Sequence, residues 1–179
     1  MFRSLLIALT RLIAAPRTIY GREGTDAYLS RWYLIGDRPD EDVGLKGQAD
    51  PNTHRKFNLL LHRFHRSDDD GALHSHPHSW GVSLVLVGGY SEERREGDMV
   101  IRRLIKPWRL NFIGKDDYHR VDLIEADAWT LFLVGPRIQT WFFWDRNSHC
   151  RAHWLDFIQA KRNGGTPKWE PDSRSATDV

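Results

Sequence analysis

Nine histidines occur in the chain, and the spacing of a few of them could do chemistry. His74 and His76 stand two apart in GALHSHPHSW, an extended-looking segment, so both imidazoles can leave the same side of a strand and converge on one ion. His119, between Tyr118 and the strand-like run that begins at Val121, follows the turn-forming GKDD and is the candidate for a third ligand. Three neutral imidazoles on a first-row metal leave positions free for water, oxygen or substrate, which separates a reactive site from a closed structural one.

Other residues compete for roles around such a site. His78 shares parity with the pair, but Pro77 and a bend near Gly81 leave it behind the ligands or exposed. Glu92, beyond Gly88 and Gly89, reads as a solvated hairpin residue that could act as a carboxylate ligand only if its strand returned to the site. Tyr90 is a candidate for lining the pocket and for a catalytic role. His62 and His65 have opposite strand parity, so at most one faces inward, and His62 could sit behind the metal. His149 and His153 are four apart and would share a helix face, but Cys150 stands where a metalloprotease helix needs a glutamate. Arg31, Arg63 and Arg66 could hold an anionic substrate, because a guanidinium matches a carboxylate bidentately, and Arg31 is the first choice. Trp80 is the indole closest to the ligands and a candidate for substrate contact.

These residues need a scaffold, and the chain supplies one of strands. At 179 residues and 40% hydrophobic content it is long enough for one domain with a real core. AYLSRWYLI, KFNLLLHRF, VSLVLV, MVIRRLI, LNFIG and WTLFLV are short runs rich in branched and aromatic residues, with turns between them and no internal repeat. That pattern implies an antiparallel sandwich or barrel. GDRPDEDVGLKGQADPNTHR reads as a long surface loop, and HCRAHWLDFIQAKR as a brief helix. The last residues hold too little apolar content to order themselves and read as a tail. The N-terminal MFRSLLIALTRLIAAPRTIY has apolar residues at helical spacing, is broken by Arg11 and is too short to span a bilayer. It reads as an amphipathic helix packed on the domain or at a subunit contact, with membrane-surface attachment as the other option.

Charge and cysteine content narrow the classes further. The 26 basic and 24 acidic residues give a net charge of +2, with no basic block, which disfavours a nucleic-acid partner. The single cysteine, Cys150, cannot form an internal disulfide and fits a reducing, cytoplasmic compartment.

His74-Ser-His76, Gly88 twelve residues after His76, and then His119 resemble the two motifs of the cupin superfamily. The resemblance implies a double-stranded antiparallel β-barrel, a jelly roll of the all-β class, over residues 25–158. It would be preceded by a helical segment over 1–24 and followed by a flexible tail over 159–179. The usual first motif has a glutamate five residues after the second histidine, and Gly81 stands there instead. What remains is an all-histidine triad, as in the thiol dioxygenase branch, and KFNLLLHRF, HSHPHSW and the stretch from Tyr28 to Arg31 are similar to segments of that branch.

The expectation is therefore an oxidoreductase in which Fe(II), held by His74, His76 and His119, brings a small anionic substrate and dioxygen together. Arg31 would orient the remote end of the substrate, with Arg63, Trp80 and Tyr90 nearby. Manganese, nickel, copper and zinc also suit the donor set. The rivals are a non-redox cupin isomerase or epimerase, and a binding module that captures a small molecule or partner. Strand edges would allow a homodimer.

Overall fold

The computed structural model describes residues 2–20, 26–36, 56–68 and 71–172. The long loop read at 36–55 and the last seven residues of the tail lie almost wholly outside the described residues. The chain forms helix α1 (Phe2–Thr10), then strands β1 (Arg17–Tyr20), β2 (Ala27–Ile35), β3 (Asn58–Phe64), β4 (Leu73–His74), β5 (Trp80–Val87) and β6 (Tyr90–Glu96). It continues through β7 (Met99–Ile105), β8 (Leu110–Gly114), β9 (His119–Leu123), β10 (Ala128–Val134), β11 (Phe142–Trp144) and β12 (Cys150–His153). Helix α2 (Trp154–Arg162) and β13 (Glu170–Pro171) complete it. Pairing is antiparallel throughout, in a six-stranded sheet ordered β1-β2-β3-β10-β5-β8 and a seven-stranded sheet ordered β13-β12-β11-β4-β9-β6-β7. This is the expected all-β jelly roll of cupin type, as two facing sheets.

Strand alternation explains how the six-stranded sheet serves two surfaces. Register places Arg17 opposite Arg31, Arg31 opposite His62, and His62 opposite Thr130, so these four share one face. His62 and Thr130 are buried, which identifies that face as the interior. On the other face Trp32, Leu61 and Trp129 form a cluster closed by Leu6 of α1, and the indoles of Trp32 and Trp129 stack at 5.7 Å. Burying one such leucine contributes roughly 1.5–3 kcal/mol. Both faces of β3 are therefore covered, which is why its sequence is continuously apolar from Leu59 to Leu61. Arg3 fastens the helix to the barrel through Glu125 at 2.6 Å and Asp127 at 2.7 Å. No helix among the described residues is long and apolar enough to cross a membrane.

Between β5 and β6 the chain passes from one sheet to the other at Gly88 and Gly89, with φ of 80° and 99°. A Cβ on Gly88 would come within 2.2 Å of the Asp127 carbonyl oxygen, so only glycine fits this crossover. It delivers β6 beside β9, the strand that carries His119.

The C-terminal region is more ordered than its composition suggests. His149 sits in a turn at φ 54° and His153 is the N-cap of α2, accepting from the Leu155 amide at 3.3 Å, so the two do not share a helix face. Phe157 of α2 stacks on Phe143 with centroids 3.9 Å apart, and Trp169 packs against the same cluster. Within the segment read as tail, α2 runs to Arg162, Glu170 and Pro171 pair with β12, and buried Asp172 forms ion pairs with Arg95 and Arg151. Two anchors, one aromatic and one ionic, order a stretch that has few apolar residues of its own.

Candidate metal centre

His74 ends β4, where Leu73 and Ser75 turn to one face, Leu73 packing with Tyr118 and Trp144, and His74 and His76 turn to the other, toward interior Phe132. The segment is clamped on β11: the Ser75 amide donates to the Phe142 carbonyl at 2.9 Å, and the Ser75 hydroxyl accepts from the Phe142 amide at 3.0 Å. Beyond it, the Gln139 side chain donates to the His76 carbonyl at 3.0 Å, and the Ile138 amide to the Pro77 carbonyl at 3.0 Å. His119 opens β9 directly across from His74. Local sequence thus fixes three backbone positions, and strand parity turns the rings inward.

The three rings meet as the spacing predicts. Their centroids lie 4.9 to 5.2 Å apart, and one ring nitrogen from each falls within 4.8 Å of the others. His76 Nε2 and His119 Nε2 are 2.7 Å apart. Two ring nitrogens that close share a hydrogen bond, which a bound ion would replace. Burial, opposed by Asp68, lowers His74 to about 4. Burial and the neighbouring His119 carry His76 well below its ordinary value. Both are therefore neutral with lone pairs to offer, the state a metal ligand needs.

Behind His119 lies a carboxylate that the sequence reading left in solvent. Glu92 is fully buried on the inner face of β6, between Tyr90 and Arg94. Its Oε1 accepts from His119 Nδ1 at 2.7 Å, Asn111 Nδ2 at 2.8 Å and Arg94 Nη2 at 3.0 Å. Burial alone would raise this carboxyl, but the hydrogen bonds from His119, Arg94 and Asn111 hold it at about 2. An ionised Glu92 obliges His119 to donate through Nδ1, which leaves Nε2 bare and aimed at the other two rings. The glutamate thus orients a ligand rather than joining the set of three. Parity counted from Tyr90 was the only signal for it, because YSEERRE has no apolar alternation to mark an inner face.

The remaining candidates divide by face. Arg31 points inward, and its Nε donates to His62 Nε2 at 3.0 Å. His62 is buried as expected, and burial together with Arg31 drives it well below its ordinary value. His78 bonds the Gly135 carbonyl at 3.0 Å through Nδ1 and is lowered to about 4 by burial and Arg31. Arg63 faces the outer surface instead, bonded to Asp127 at 2.9 Å with its guanidinium 5.3 Å from the Trp129 ring centroid. Parity excludes it from the site once His62 faces inward. Trp80 is corrected for the same reason: Gly81, Ser83 and Val85 occupy the buried face of β5, so Trp80 lies on the outer one, 41% exposed.

Tyr90 is interior but stands off from the histidines. It packs with Val85, Ile105 and Val121, accepts from Asn111 Nδ2 at 3.2 Å, and is raised to about 12 by burial. It supports Asn111 and holds its proton. At Gly81, a Cβ would come within 2.9 Å of Phe132 Cε2 and Cζ, so the space where the resemblance would put a glutamate is filled by a ring. Asn111, Arg94, Arg17 and Arg137 were not singled out by the sequence reading.

The residues present fit a first-row divalent metal. Neutral donors converge, and a buried carboxylate orients one of them.

No family model matches the sequence, and no curated protein matches it. Solved structures do match in fold. The DMSP lyase DddQ from Ruegeria pomeroyi DSS-3 is 16% identical with a TM-score of 0.53, covering 77% of this chain and 64% of that one. KdgF from Halomonas sp. is 14% identical at a TM-score of 0.42, covering 64% of this chain and 85% of that one. Hydroxypropylphosphonic acid epoxidase from S. wedmorenis is 11% identical at 0.43, covering 67% and 55%. The chain thus spans less than two thirds of the lyase and of the epoxidase. At that identity the likeness to DddQ establishes a shared architecture alone, the cupin-type jelly roll.

Proposed function

We propose that this chain is a metal-dependent cupin oxidoreductase, a dioxygenase using Fe(II) at His74, His76 and His119 and acting on a small anionic substrate. The observation that carries the reading is the convergence of three histidines with no carboxylate among them. Neutral donors leave the ion's double charge uncompensated, so the site favours an anionic substrate that binds at the metal. The resemblance to the thiol dioxygenase branch, with its all-histidine triad, supports the same choice. Ferrous iron supplies the one-electron exchange with dioxygen that amino-acid side chains lack.

The chain's own residues then do three things. Glu92 fixes the tautomer and tilt of His119. Arg31, braced on His62, offers its remaining donors to the anionic end of the substrate. His78 is held by Gly135 and remains neutral. Proton transfer has weak support at this site: His62 Nε2 already accepts from Arg31, Glu92 is committed to its partners, Tyr90 holds its proton, and His78 at about 4 is a weak base. Redox chemistry is therefore preferred over the isomerase and lyase chemistries of other jelly rolls.

The test is elemental analysis of anaerobically purified protein beside His76→Ala, then oxygen uptake by the iron-loaded form over a panel of small thiols and diketones. The reading expects about one metal ion per chain, lost in the variant, and substrate-dependent oxygen consumption. Metal without uptake would transfer the site to non-redox chemistry. Equal metal content in both proteins would remove the site altogether.

A further inference from the structure

Among the described residues, most arginines have a carboxylate to answer them. Arg3, Arg63, Arg94, Arg95, Arg120 and Arg146 each form an ion pair. Arg17, Arg31 and Arg137 form none with any described residue, although all three are partly buried. They also lie together. Arg17 and Arg31 are direct partners across β1 and β2, on the interior face that continues into His62. Arg137 lies in the loop after β10 and bridges His78, and the next two residues of that loop bond to the backbone of Pro77 and His76. The Nε of Arg137 is buried and has no hydrogen-bond partner. Burial, then the charges of Arg17 and Arg31, lower the Arg137 guanidinium from its ordinary value, as unscreened like charges must.

We propose that Arg17, Arg31 and Arg137 form a subsite for the dianionic end of a small substrate, placed beside the histidine cluster. The proposal rests on the reading of that cluster as the reaction centre. A monocarboxylate would neutralise one guanidinium and leave two facing each other. A dianion with at least three acceptor oxygens, such as a phosphate or phosphonate group or a dicarboxylate, can engage all three forks while cancelling most of the charge. Arg31 is the hinge of the arrangement. Its Nε is spent on His62, so its terminal nitrogens remain for the ligand. Its neighbour His78 separates the arginines from His76 by two residues, so a molecule held here has a short reach to the metal.

Calorimetric titration of metal-free protein tests this without any turnover, using inorganic phosphate, malonate and acetate under mildly alkaline conditions where phosphate is doubly ionised. Phosphate or malonate should bind at least about tenfold more tightly than acetate, and Arg137→Gln or Arg17→Gln should each weaken that binding at least about tenfold. A preference for phosphate assigns a phosphoryl-type end, and a preference for malonate assigns a dicarboxylate. Equal binding of acetate, or unchanged binding in both variants with native circular dichroism, overturns the proposal. His76→Ala separates the two readings: it should still bind the dianion after losing metal, whereas Arg137→Gln should keep the metal after losing the dianion.

Discussion

Two polar regions border the three histidines, and they are built in opposite ways. On the β6 side, Tyr90, Asn111, Glu92 and Arg94 form a hydrogen-bonded circuit in which each charge has a counter-charge and His119 donates the last hydrogen bond. On the β2 side, Arg17, Arg31 and Arg137 carry like charges, and no carboxylate among the described residues pairs with any of them. The first region balances its charges without a ligand, and the second balances them only with one. A hydrogen-bonded network specifies position, because moving any member breaks several bonds at once. An open cluster of cations stores an unfavourable interaction that an anion relieves. Positioning and recognition are thus divided between the two sheets.

The comparison breaks most visibly at Glu92. Glu92→Ala strips Arg94, Asn111 and His119 of a shared acceptor in a fully buried place. The expected cost is roughly 3–5 kcal/mol in urea unfolding, toward the lower bound because Arg94 keeps Asp117 at 3.0 Å. Metal affinity should also fall about 10–100-fold as His119 loses its fixed tautomer. Glu92→Gln, which keeps an acceptor oxygen, should lose less of both. Equal stability of Glu92→Ala and the parent would show that the circuit is not held by this residue.

A second change probes why the triad lacks a carboxylate. Gly81→Glu restores the residue type of the first cupin motif, but its Cβ must displace the Phe132 ring, which packs on His62 and His76. Overpacking of this kind costs about 1–3 kcal/mol, and metal affinity should not improve. Gly81→Ala separates the steric part, and tighter metal binding by the glutamate variant would mean that Phe132 yields.

These cases show which parts of the molecule could be read in advance. The strands were legible because their apolar runs are short and bounded by turns, and the triad because two-residue spacing has one meaning on a strand. Arg63 and Trp80 were misplaced because a helix hides the outer face of β3 and because the entry of β5 into its sheet sets which parity is interior. Neither fact is local. Glu92 was missed because its strand is charged on both faces, so burial depends on which sheet the Gly88–Gly89 crossover delivers it to. Arg17 and Arg137 come together only through pairing of β1 with β2 and a loop returning to His78, contacts that sequence spacing does not encode.

His62 braces Arg31 on the arginine side and gives a pH signature. Burial and Arg31 keep it neutral in the folded protein, well below its ordinary value, whereas the unfolded chain protonates it near 6.5. Below that pH the unfolded state binds more protons, so stability falls as the solution is acidified and is fully present above it. His62→Gln removes this contribution. The stability of the variant should decline less steeply with acid, by up to about 1.4 kcal/mol per pH unit, in denaturant titrations of metal-free protein. Identical slopes would mean that His62 takes up its proton without unfolding.

The smallest expected effect has the sign that distinguishes the two regions most sharply. Removing a charge from the β6 circuit should destabilise, but removing one from the arginine cluster should not. Arg137→Gln deletes a cation that faces two others and has an unpartnered nitrogen, so the ligand-free variant should gain a few tenths to about 1 kcal/mol in thermal denaturation. Adding phosphate should reverse the order. The parent is stabilised in proportion to the logarithm of ligand over dissociation constant, while the variant, binding weakly, barely responds. A loss of stability in Arg137→Gln that phosphate leaves unchanged would make Arg137 a structural residue like Arg94, and the contrast between the two sides of the histidines would vanish.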